Sequence, residues 1–339
     1  MANLKVALLG MNRTTASVGL ALKRYMKKGG KNTFTVSAYD YSQDNLKNAK
    51  KMDAVDETAG RPQNAVDEAD IVVMAVSYEE TEVVYQEIKP YVRDGVVILD
   101  MSPLKRPSLE WSSELLSDSH HVIGMTPILN PRYIFSTEGT VENAEEDMFD
   151  DSAILLTPAA GTAKEAVDLA FTFSSLIGSK PRFLDPLEHD MLLAQTVQLP
   201  RVLGTVLFYH TAKQPNWEDL KWLTNPDFGA LTRPLFDIHP DALRDEFFRN
   251  RDAVARNLDA YIDTLTQFRD ALREDDKATV ESVTVEASET YEQWINARYR
   301  ADWDAVQKTS EADAGNSFLT AMLGGAIADR LTGKDKDDD

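Results

Sequence analysis

Residues 6–17 read VALLGMNRTTAS, and this stretch decides the fold of the chain. A short apolar run meets Gly10, and a helical pattern of apolar residues follows directly. Glycine allows a tight turn at this point, and the N–H groups at the start of the next helix can hold a pyrophosphate. A second predicted strand, residues 34–39, ends at Asp40, whose carboxylate can accept hydrogen bonds from ribose hydroxyls. This order predicts a dinucleotide-binding unit.

The glycine motif of such units, G-x-G-x-x-G, has only its first glycine here. Asn12 and Thr15 stand at the second and third glycine positions. Asn tolerates a positive φ better than most residues, and Thr14 or Thr15 can offer a hydroxyl to phosphate. The spacing alone therefore leaves open either a nucleotide site or an ordinary strand-turn-helix.

The choice between NAD and NADP depends on two residues of this unit. Asp40 favours NAD, because its carboxylate would repel a 2′-phosphate, although it can instead cap the helix that follows. Arg13 lies in the altered turn and would compensate that repulsion. Val76 and Ser77, at the end of the predicted strand 69–76, complete the expected cofactor contacts.

Composition and charge exclude several classes of protein. The chain has 339 residues and a formal net charge of −20, which argues against nucleic acid or an anionic membrane as a partner. It has no cysteine, and its five histidines lack metal-ligand spacing, so we expect no metal site. We expect no apolar run of the sequence to reach the ~20 residues that span a bilayer. These features predict a cytoplasmic protein.

Short apolar runs alternate with helical patterns through the first half of the chain. Further strands are predicted at residues 96–100, 122–124, 153–157 and 181–184. The alternation indicates an α/β fold with a doubly wound parallel, Rossmann-type sheet, whose ligand crevice lies at the carboxyl ends of the strands. Ser102, Lys105 and Thr126 follow such ends, and residues 128–150 read as a long loop facing the crevice.

The pattern becomes entirely helical after Asp185, which is followed by a proline and a capping-box acid. Apolar residues spaced by three and four predict one long amphipathic helix over residues 241–274, which needs a partner helix. We therefore predict a dinucleotide-binding domain at 1–184, an all-helical substrate and dimerisation domain at 185–328, and a disordered acidic tail at 329–339. The expected assembly is a homodimer through the helical domain.

Several segments together resemble the prephenate/arogenate dehydrogenase family. They are LDPLEHD at 184–190, QLPR at 198–201, LTR at 231–233, and Asp100 with Lys105. The resemblance covers about residues 4–275. It implies an NAD- or NADP-dependent oxidoreductase of two domains that oxidatively decarboxylates a cyclohexadienol acid on the route to tyrosine.

This chain departs from the family at residues on both sides of the crevice. Thr126 lies in the segment where the family has the histidine thought to take the proton from the substrate hydroxyl, so Thr126 or an ordered water would replace that base. Pro103 replaces a family serine, with Ser102 beside it. Gln198 and Arg201 replace two family histidines.

The candidate substrate residues each have two interpretations. Arg233 is either a carboxylate clamp or a structural ion-pair residue, and Arg201 is either a second clamp or a surface arginine. Lys105 either steers an anionic substrate or is a solvated loop lysine, and His189 is interpreted as structural, bonded to backbone or to a neighbouring carboxylate. The predicted catalytic and substrate set is Thr126, Ser102, Lys105, Arg233, Arg201 and Gln198.

Three functional hypotheses follow from these residues. The first is a dehydrogenase of the prephenate/arogenate type acting on a small carboxylic acid. The second is an oxidoreductase of the same fold acting on another acid or imine, with a different hydride carrier such as a deazaflavin. The third is a non-catalytic sensor of a dinucleotide or metabolite.

Overall fold

A computed structural model describes residues 3–136 and 138–301. Its centre is an eight-stranded sheet of order β3-β2-β1-β4-β5-β6-β7-β8. The strands are β1 (Asn3–Leu9), β2 (Thr33–Tyr39), β3 (Glu57–Thr58), β4 (Ile71–Met74), β5 (Val97–Asp100), β6 (His121–Ile128), β7 (Ala153–Pro158) and β8 (Lys180–Phe183). The Rossmann-type α/β class predicted from the alternation is confirmed.

Helices cover both faces of this sheet. They are α1 (Arg13–Lys27), α2 (Gln43–Lys51), α3 (Pro62–Val66), α4 (Thr81–Ile88), α5 (Lys105–Leu115) and α6 (Lys164–Leu176). Two apolar cores result, one on each face, because the central strands β1, β4 and β5 are buried on both sides. Such strands read as continuous Val, Ile and Leu runs, which is why the sequence located them.

Two strands run against the predicted direction. β7 pairs antiparallel with β6, and β8 is parallel to β7, so the last two strands are reversed relative to the rest. Among its described residues, the connection from residue 129 to residue 152 contains only two short 3-10 turns, Pro131–Tyr133 and Val141–Asn143. A parallel crossover needs a dozen or more residues, usually with a helix, to return the chain to the opposite edge. Without one, the chain re-enters the sheet from the carboxyl edge.

The second half of the described chain is helical, as predicted. It contains α7 (Pro186–Leu193), a π-helical turn (Ala194–Gln198), α8 (Leu199–Ala212), α9 (Trp217–Leu223), α10 (Pro226–Thr232), α11 (Pro234–Asp237), α12 (Pro240–Arg249), α13 (Arg251–Arg273) and α14 (Lys277–Arg300). Among the described residues, 3–281 form one compact unit and 282–301 belong to a second. The predicted tail at 329–339 and the end of the predicted helical domain lie outside the described residues.

The single helix predicted over residues 241–274 is wrong. The chain forms α12 and α13, which are separated at Asn250, whose backbone has φ −119° and ψ 24°. The Asn250 side chain donates to the Asp190 carbonyl at 2.8 Å and to Gln198 Oε1 at 2.6 Å. These contacts to α7 and the π-turn fix the break, and a periodicity argument cannot detect them.

The sequence reading of apolar runs also missed one stretch. Among the described residues, the continuous helical stretch 186–212 is long and apolar enough to cross a membrane by length and composition, with a mean hydropathy of 1.3. Polar residues interrupt it, which is why it does not look like one apolar run. Only 22% of its apolar window is buried in the monomer, so packing within the monomer does not account for most of this apolar surface.

Candidate active site

Gly10 sets the turn between β1 and α1. Its φ is +83°, and a Cβ atom built there would lie 2.5 Å from the carbonyl oxygen of Ala75 and 2.9 Å from the backbone nitrogen of Val76. Both the left-handed backbone and the close approach to the end of β4 therefore require glycine. The turn thus lies at the carboxyl edge of the sheet, beside the predicted cofactor residues.

Asn12 does not adopt the positive φ that an altered glycine motif suggests. Its backbone is extended, with φ −136°, and it is the N-cap of α1. Its side chain accepts hydrogen bonds from the N–H groups of Thr14 and Thr15 at 2.9 and 3.1 Å. The Thr15 hydroxyl accepts from the Asn12 N–H at 3.0 Å and donates to the Gly10 carbonyl at 2.8 Å. Asn12 and Thr15 therefore form a capping box that binds the helix amides within the chain.

Arg13 is directed away from the helix start. Its N–H donates to the Gly139 carbonyl at 2.9 Å, and its Nε donates to the Asn143 carbonyl at 2.9 Å. A terminal nitrogen donates to the Ser136 hydroxyl at 2.7 Å, and the guanidinium lies over the ring of Tyr133. The side chain is buried, and the structure gives it these partners instead of the predicted phosphate.

Asp40 connects the end of β2 to the same turn. One oxygen accepts from the Met11 N–H at 2.6 Å, and the other accepts from the Ser42 N–H at 2.7 Å and from the Asn45 side chain at 3.2 Å. Its position fits the ribose of a dinucleotide. The first N–H groups of α1, by contrast, bind Asn12 and Gly139. Asp40 thus lies where the ribose of a dinucleotide binds in this fold. The amides that would hold the pyrophosphate are hydrogen-bonded to Asn12 and Gly139 of the chain itself.

Ser77 follows β4 at this edge and is exposed. Its N–H and hydroxyl both donate to the Glu80 carboxylate, at 3.2 and 2.6 Å. These bonds start the turn into α4 directly after Val76, whose backbone nitrogen lies beside Gly10.

Lys105 is neither a solvated lysine nor a group that reaches into open space. It is 1% exposed, and its Nζ donates to the carbonyls of Asp100 at 3.0 Å, Ser102 at 2.7 Å and Met125 at 3.0 Å. Burial lowers the pKa of Lys105 to about 8, against the opposing charges of Asp100 and Asp190. Since all three donors are used, Lys105 ties the ends of β5 and β6 together.

Asp100 and Ser102 complete this buried cluster. The Asp100 carboxylate accepts from the Tyr85 hydroxyl at 2.5 Å, from the Ser102 N–H at 2.7 Å and from Ser108. The Ser102 hydroxyl is paired with that of Thr81 at 3.0 Å. Ser102 is 2% exposed and is therefore part of this buried cluster.

Thr126 meets a histidine that the sequence analysis had assigned a structural role. Gly124 pairs with Asp100, the last residue of β5, so Thr126 lies two residues beyond the carboxyl end of that strand. Its hydroxyl is 2.9 Å from His189 Nε2, and His189 Nδ1 is 2.9 Å from Asp190 Oδ1. Thr126 is half-buried, whereas His189 and Asp190 are buried.

Asp190 is held by the start of α5. Its two oxygens accept from the N–H groups of Lys105 at 2.8 Å and Arg106 at 3.0 Å, the first two residues of that helix. A carboxylate at a helix N-terminus is stabilised by the helix dipole. α5 therefore fixes Asp190, and Asp190 in turn fixes His189.

Arg201 is engaged by a carboxylate of this chain. One terminal nitrogen donates to both oxygens of Glu246, at 2.8 and 2.7 Å. Glu246 is 3% exposed, and burial raises its pKa while Arg201 opposes that rise. Gln198 donates to the Glu246 carbonyl at 3.0 Å. Gln198 and Arg201 thus join the π-turn and α8 to α12, which neither sequence interpretation of Arg201 included.

Arg233 directly follows α10, a helix that packs against α8. Its Nε donates to Asp237 at 2.8 Å, and both side chains are more than a third exposed. At Gly204, an added Cβ atom would lie 2.1 Å from the Leu231 carbonyl, so α8 approaches this segment closely. Arg233 is therefore in an ion pair that a bound carboxylate can compete for.

A groove of about 780 Å³ lies beside Asp190. Its lining includes four arginines, namely Arg106, Arg249, Arg251 and Arg256, and four carboxylates, of which Glu110 pairs with Arg106 and Asp252 with Arg251. Arg249 lies 4.5 Å above the ring of Trp111, which holds its guanidinium in place. Guanidinium groups bind carboxylates. These four residues are candidate substrate contacts that the sequence analysis did not select.

Family comparisons agree with this architecture. The model "Prephenate dehydrogenase, nucleotide-binding domain" matches residues 18–181, and "Prephenate dehydrogenase, dimerization domain" matches residues 185–283. Prephenate dehydrogenase of Bacillus subtilis is 24% identical over 275 residues, covering 80% of this chain and 71% of the relative. Cyclohexadienyl dehydrogenase of Zymomonas mobilis is 24% identical over 277 residues, covering 80% of this chain and 89% of the relative. The match to the nucleotide-binding domain begins at residue 18, directly after the altered turn at Gly10–Ser17.

Solved structures share the fold. The prephenate dehydrogenase of A. aeolicus, in complex with hydroxyphenyl propionate and NAD+, superposes with a TM-score of 0.70 at 18% identity, covering 85% of this chain and 98% of the other. Synechocystis arogenate dehydrogenase gives 0.64 at 18% identity, covering 86% and 100%. The chain belongs to the prephenate/arogenate dehydrogenase family.

Proposed function

We propose that this protein is an NAD(P)-dependent dehydrogenase that oxidatively decarboxylates a cyclohexadienol carboxylic acid such as prephenate or arogenate. The relatives that carry these names, and the two family matches, support the reaction class. The single structural observation that carries the proposal is Asp40. Its carboxylate lies at the end of β2 and against the Gly10 turn, where a dinucleotide ribose binds in this fold.

The crevice residues can serve this reaction. A bound nicotinamide supplies the hydride acceptor. The arginines of the groove, together with Arg233, supply guanidinium groups for the carboxylates of the substrate. Thr126 offers a hydroxyl at the edge of the sheet, and Lys105 keeps the strand ends beneath it in register. We assign the preference for NAD to Asp40.

Dinucleotide binding tests the role of Asp40. Asp40→Ala should raise the Kd for NAD by about 10- to 100-fold, since each charge-assisted hydrogen bond contributes roughly 1.5–3 kcal/mol. Calorimetry on the full chain measures this, with Asp44→Ala as a control, because Asp44 is an exposed residue of the next helix. An unchanged Kd in a folded Asp40→Ala protein contradicts the ribose assignment.

A second candidate function is favoured by the filled pyrophosphate site. Because Asn12 and Gly139 occupy the α1 amides, a different hydride carrier or a non-catalytic sensor is the alternative to an ordinary nicotinamide enzyme. Binding of a reduced deazaflavin without binding of NAD or NADP would favour the other carrier. Binding of NAD without turnover would favour the sensor.

The Asn12 cap should weaken dinucleotide binding. Asn12→Gly frees two N–H groups for phosphate and should strengthen NAD binding about tenfold, at a cost in stability of only a few tenths of a kcal/mol. Asn225→Gly is the control, since the Asn225 side chain also caps a helix, accepting from the Phe228 N–H group at the start of α10. We expect it to cost the same stability and leave the Kd for NAD unchanged. Weaker NAD binding by Asn12→Gly would show that Asn12 is itself a cofactor ligand.

We also propose a homodimer through the helical half. Large apolar side chains there are exposed in the monomer, including Val206 and Tyr209 on α8 and Phe236 on α11. The family match to a dimerization domain at 185–283 supports the same surface. The apolar stretch 186–212 is then a helix that faces the partner.

A further inference from the structure

We propose that Thr126, His189 and Asp190 form a proton relay that takes the place of the histidine missing from the β6 segment. In this relay Thr126 contacts the substrate hydroxyl, and His189 accepts the proton through Thr126. Asp190 sets the tautomer of His189. The inference rests on the proposed dehydrogenase function and adds to it the path of the proton.

The hydrogen bonds define which nitrogen of His189 carries the proton. Asp190 accepts hydrogen bonds from two backbone N–H groups, and one of its oxygens lies 2.9 Å from His189 Nδ1. A carboxylate in this setting has no proton to donate, so Nδ1 must be the donor. Nε2 of the neutral ring is then an acceptor, and the Thr126 hydroxyl donates to it across 2.9 Å.

This orientation leaves the oxygen of Thr126 ready to accept. A hydroxyl has one donor and two acceptor lone pairs, and the donor is used by His189. Thr126 is half-buried beyond the end of β5, whereas His189 is 2% exposed. A substrate in the crevice therefore meets Thr126 first. His189 is a positioning and proton-storing residue that acts through Thr126.

The relay is rigid because its far end, Asp190, is bound by the N-terminus of another helix, α5. Asp190 and the N–H groups of Lys105 and Arg106 lock α7 to the start of α5. The Asn250 side chain also donates to the Asp190 carbonyl. Asp190 is the charged group in contact with His189, and Lys105 and Arg106 of α5 contact Asp190 through their backbone N–H groups. A preorganised hydrogen-bonded chain of this kind needs little rearrangement during proton transfer.

The relay takes one proton from the substrate and later returns it. The hydroxyl-bearing ring carbon loses hydride to the nicotinamide, and the substrate hydroxyl gives its proton to the Thr126 oxygen. Thr126 passes its own proton to His189 Nε2, and Asp190 stabilises the imidazolium. The ring carboxylate then leaves as carbon dioxide, and its bonding electron pair makes the ring aromatic. The ring oxygen recovers the proton through Thr126, so the relay is reset.

A purely structural role is the competing interpretation, in which His189 only ties α7 to β6. The two roles differ in the dependence of kcat on pH. The relay needs a neutral imidazole to accept the proton, so kcat of the unsubstituted protein should fall at low pH. His189→Gln should lower kcat by about 10²- to 10⁴-fold and lose this acid limb. Thr126→Val should do the same, and Thr126→Ser should restore most of kcat.

The variants need controls for folding and for the substrate. His121→Gln is the matched control, because His121 begins β6 at the opposite edge of the sheet and should leave kcat unchanged. KM and the Kd for NAD should change little in Thr126→Val. A His189→Gln or Thr126→Val protein that keeps kcat and its acid limb overturns the relay while leaving the dehydrogenase function intact.

Nitrogen NMR of the histidine rings tests the relay without turnover. In the ligand-free full chain, the His189 signal should show the Nδ1–H tautomer, and Asp190→Asn should shift it toward Nε2–H. An Nε2–H tautomer in the unsubstituted protein overturns the relay. If this tautomer test is passed but no substrate turns over, the proposed function fails and the hydrogen-bonded chain stands without that reaction.

Discussion

Gly10→Ala is expected to destabilise the protein by roughly 2–5 kcal/mol and to abolish dinucleotide binding. A left-handed backbone costs a residue with a Cβ atom about 1–2 kcal/mol, and forcing extra volume into a packed site costs about 1–3 kcal/mol more. Both apply here, since φ is +83° and the new atom would lie 2.5 Å from a backbone oxygen of residue 75. Relief requires separating the ends of β1 and β4, which also displaces Asp40.

Gly95→Ala separates these two costs. Gly95 has nearly the same φ, +80°, and an added Cβ atom meets nothing within 4 Å. Denaturant unfolding should therefore show a loss of only about 1–2 kcal/mol for Gly95→Ala. Equal losses in the two variants would contradict the close approach of β1 and β4 at Gly10.

Arg201→Met is expected to lower the free energy of unfolding by about 3–5 kcal/mol at pH 8. Removing one partner of a buried ion pair leaves the other charge without compensation. Glu246 is 3% exposed and depends on Arg201 for two hydrogen bonds. Adding Glu246→Met to this variant should recover much of the loss, because two apolar residues replace the pair. Failure of the double variant to recover would show that Arg201 acts through other contacts.

The loss should depend on pH in a defined direction. Burial already raises the pKa of Glu246 above 4.5, and removing Arg201 takes away the charge that opposes this rise. The folded variant then retains a proton that the unfolded chain has released, so its stability falls as pH increases above 4.5. The destabilisation should be smallest near pH 5 and largest near pH 8. Arg244→Met is the control, since its ion pairs are exposed and should contribute little to stability at either pH.

Local patterns were sufficient to predict most of the nucleotide-binding half. Buried strands depend on neighbouring residues alone, and so does a helix such as α2, whose N-cap Ser42 is a local signal. The capping role of Asn12 was also within reach, because an Asn three residues before a Thr at a helix start can form a capping box. The extended backbone of Asn12 is what such a cap requires, in place of a positive φ.

Contacts between distant segments could not be predicted in the same way. Thr126 and His189 are 63 residues apart, and Arg201 and Glu246 are 45 apart. The pair His189-Asp190 was visible as a histidine beside a carboxylate, but only the packing of α7 against α5 and β6 shows that it reaches Thr126. The reversal of β7 and the break at Asn250 arise from tertiary contacts as well.

The most direct test of the account is turnover by the purified full chain. Prephenate and arogenate should each be offered with NAD+ and with NADP+, and reduced nicotinamide and carbon dioxide measured together. The account predicts that at least one acid yields both products in equal amounts, with NAD+ preferred. Binding of the dinucleotide with neither product formed from either acid would contradict the assignment of this protein as a dehydrogenase of cyclohexadienol acids.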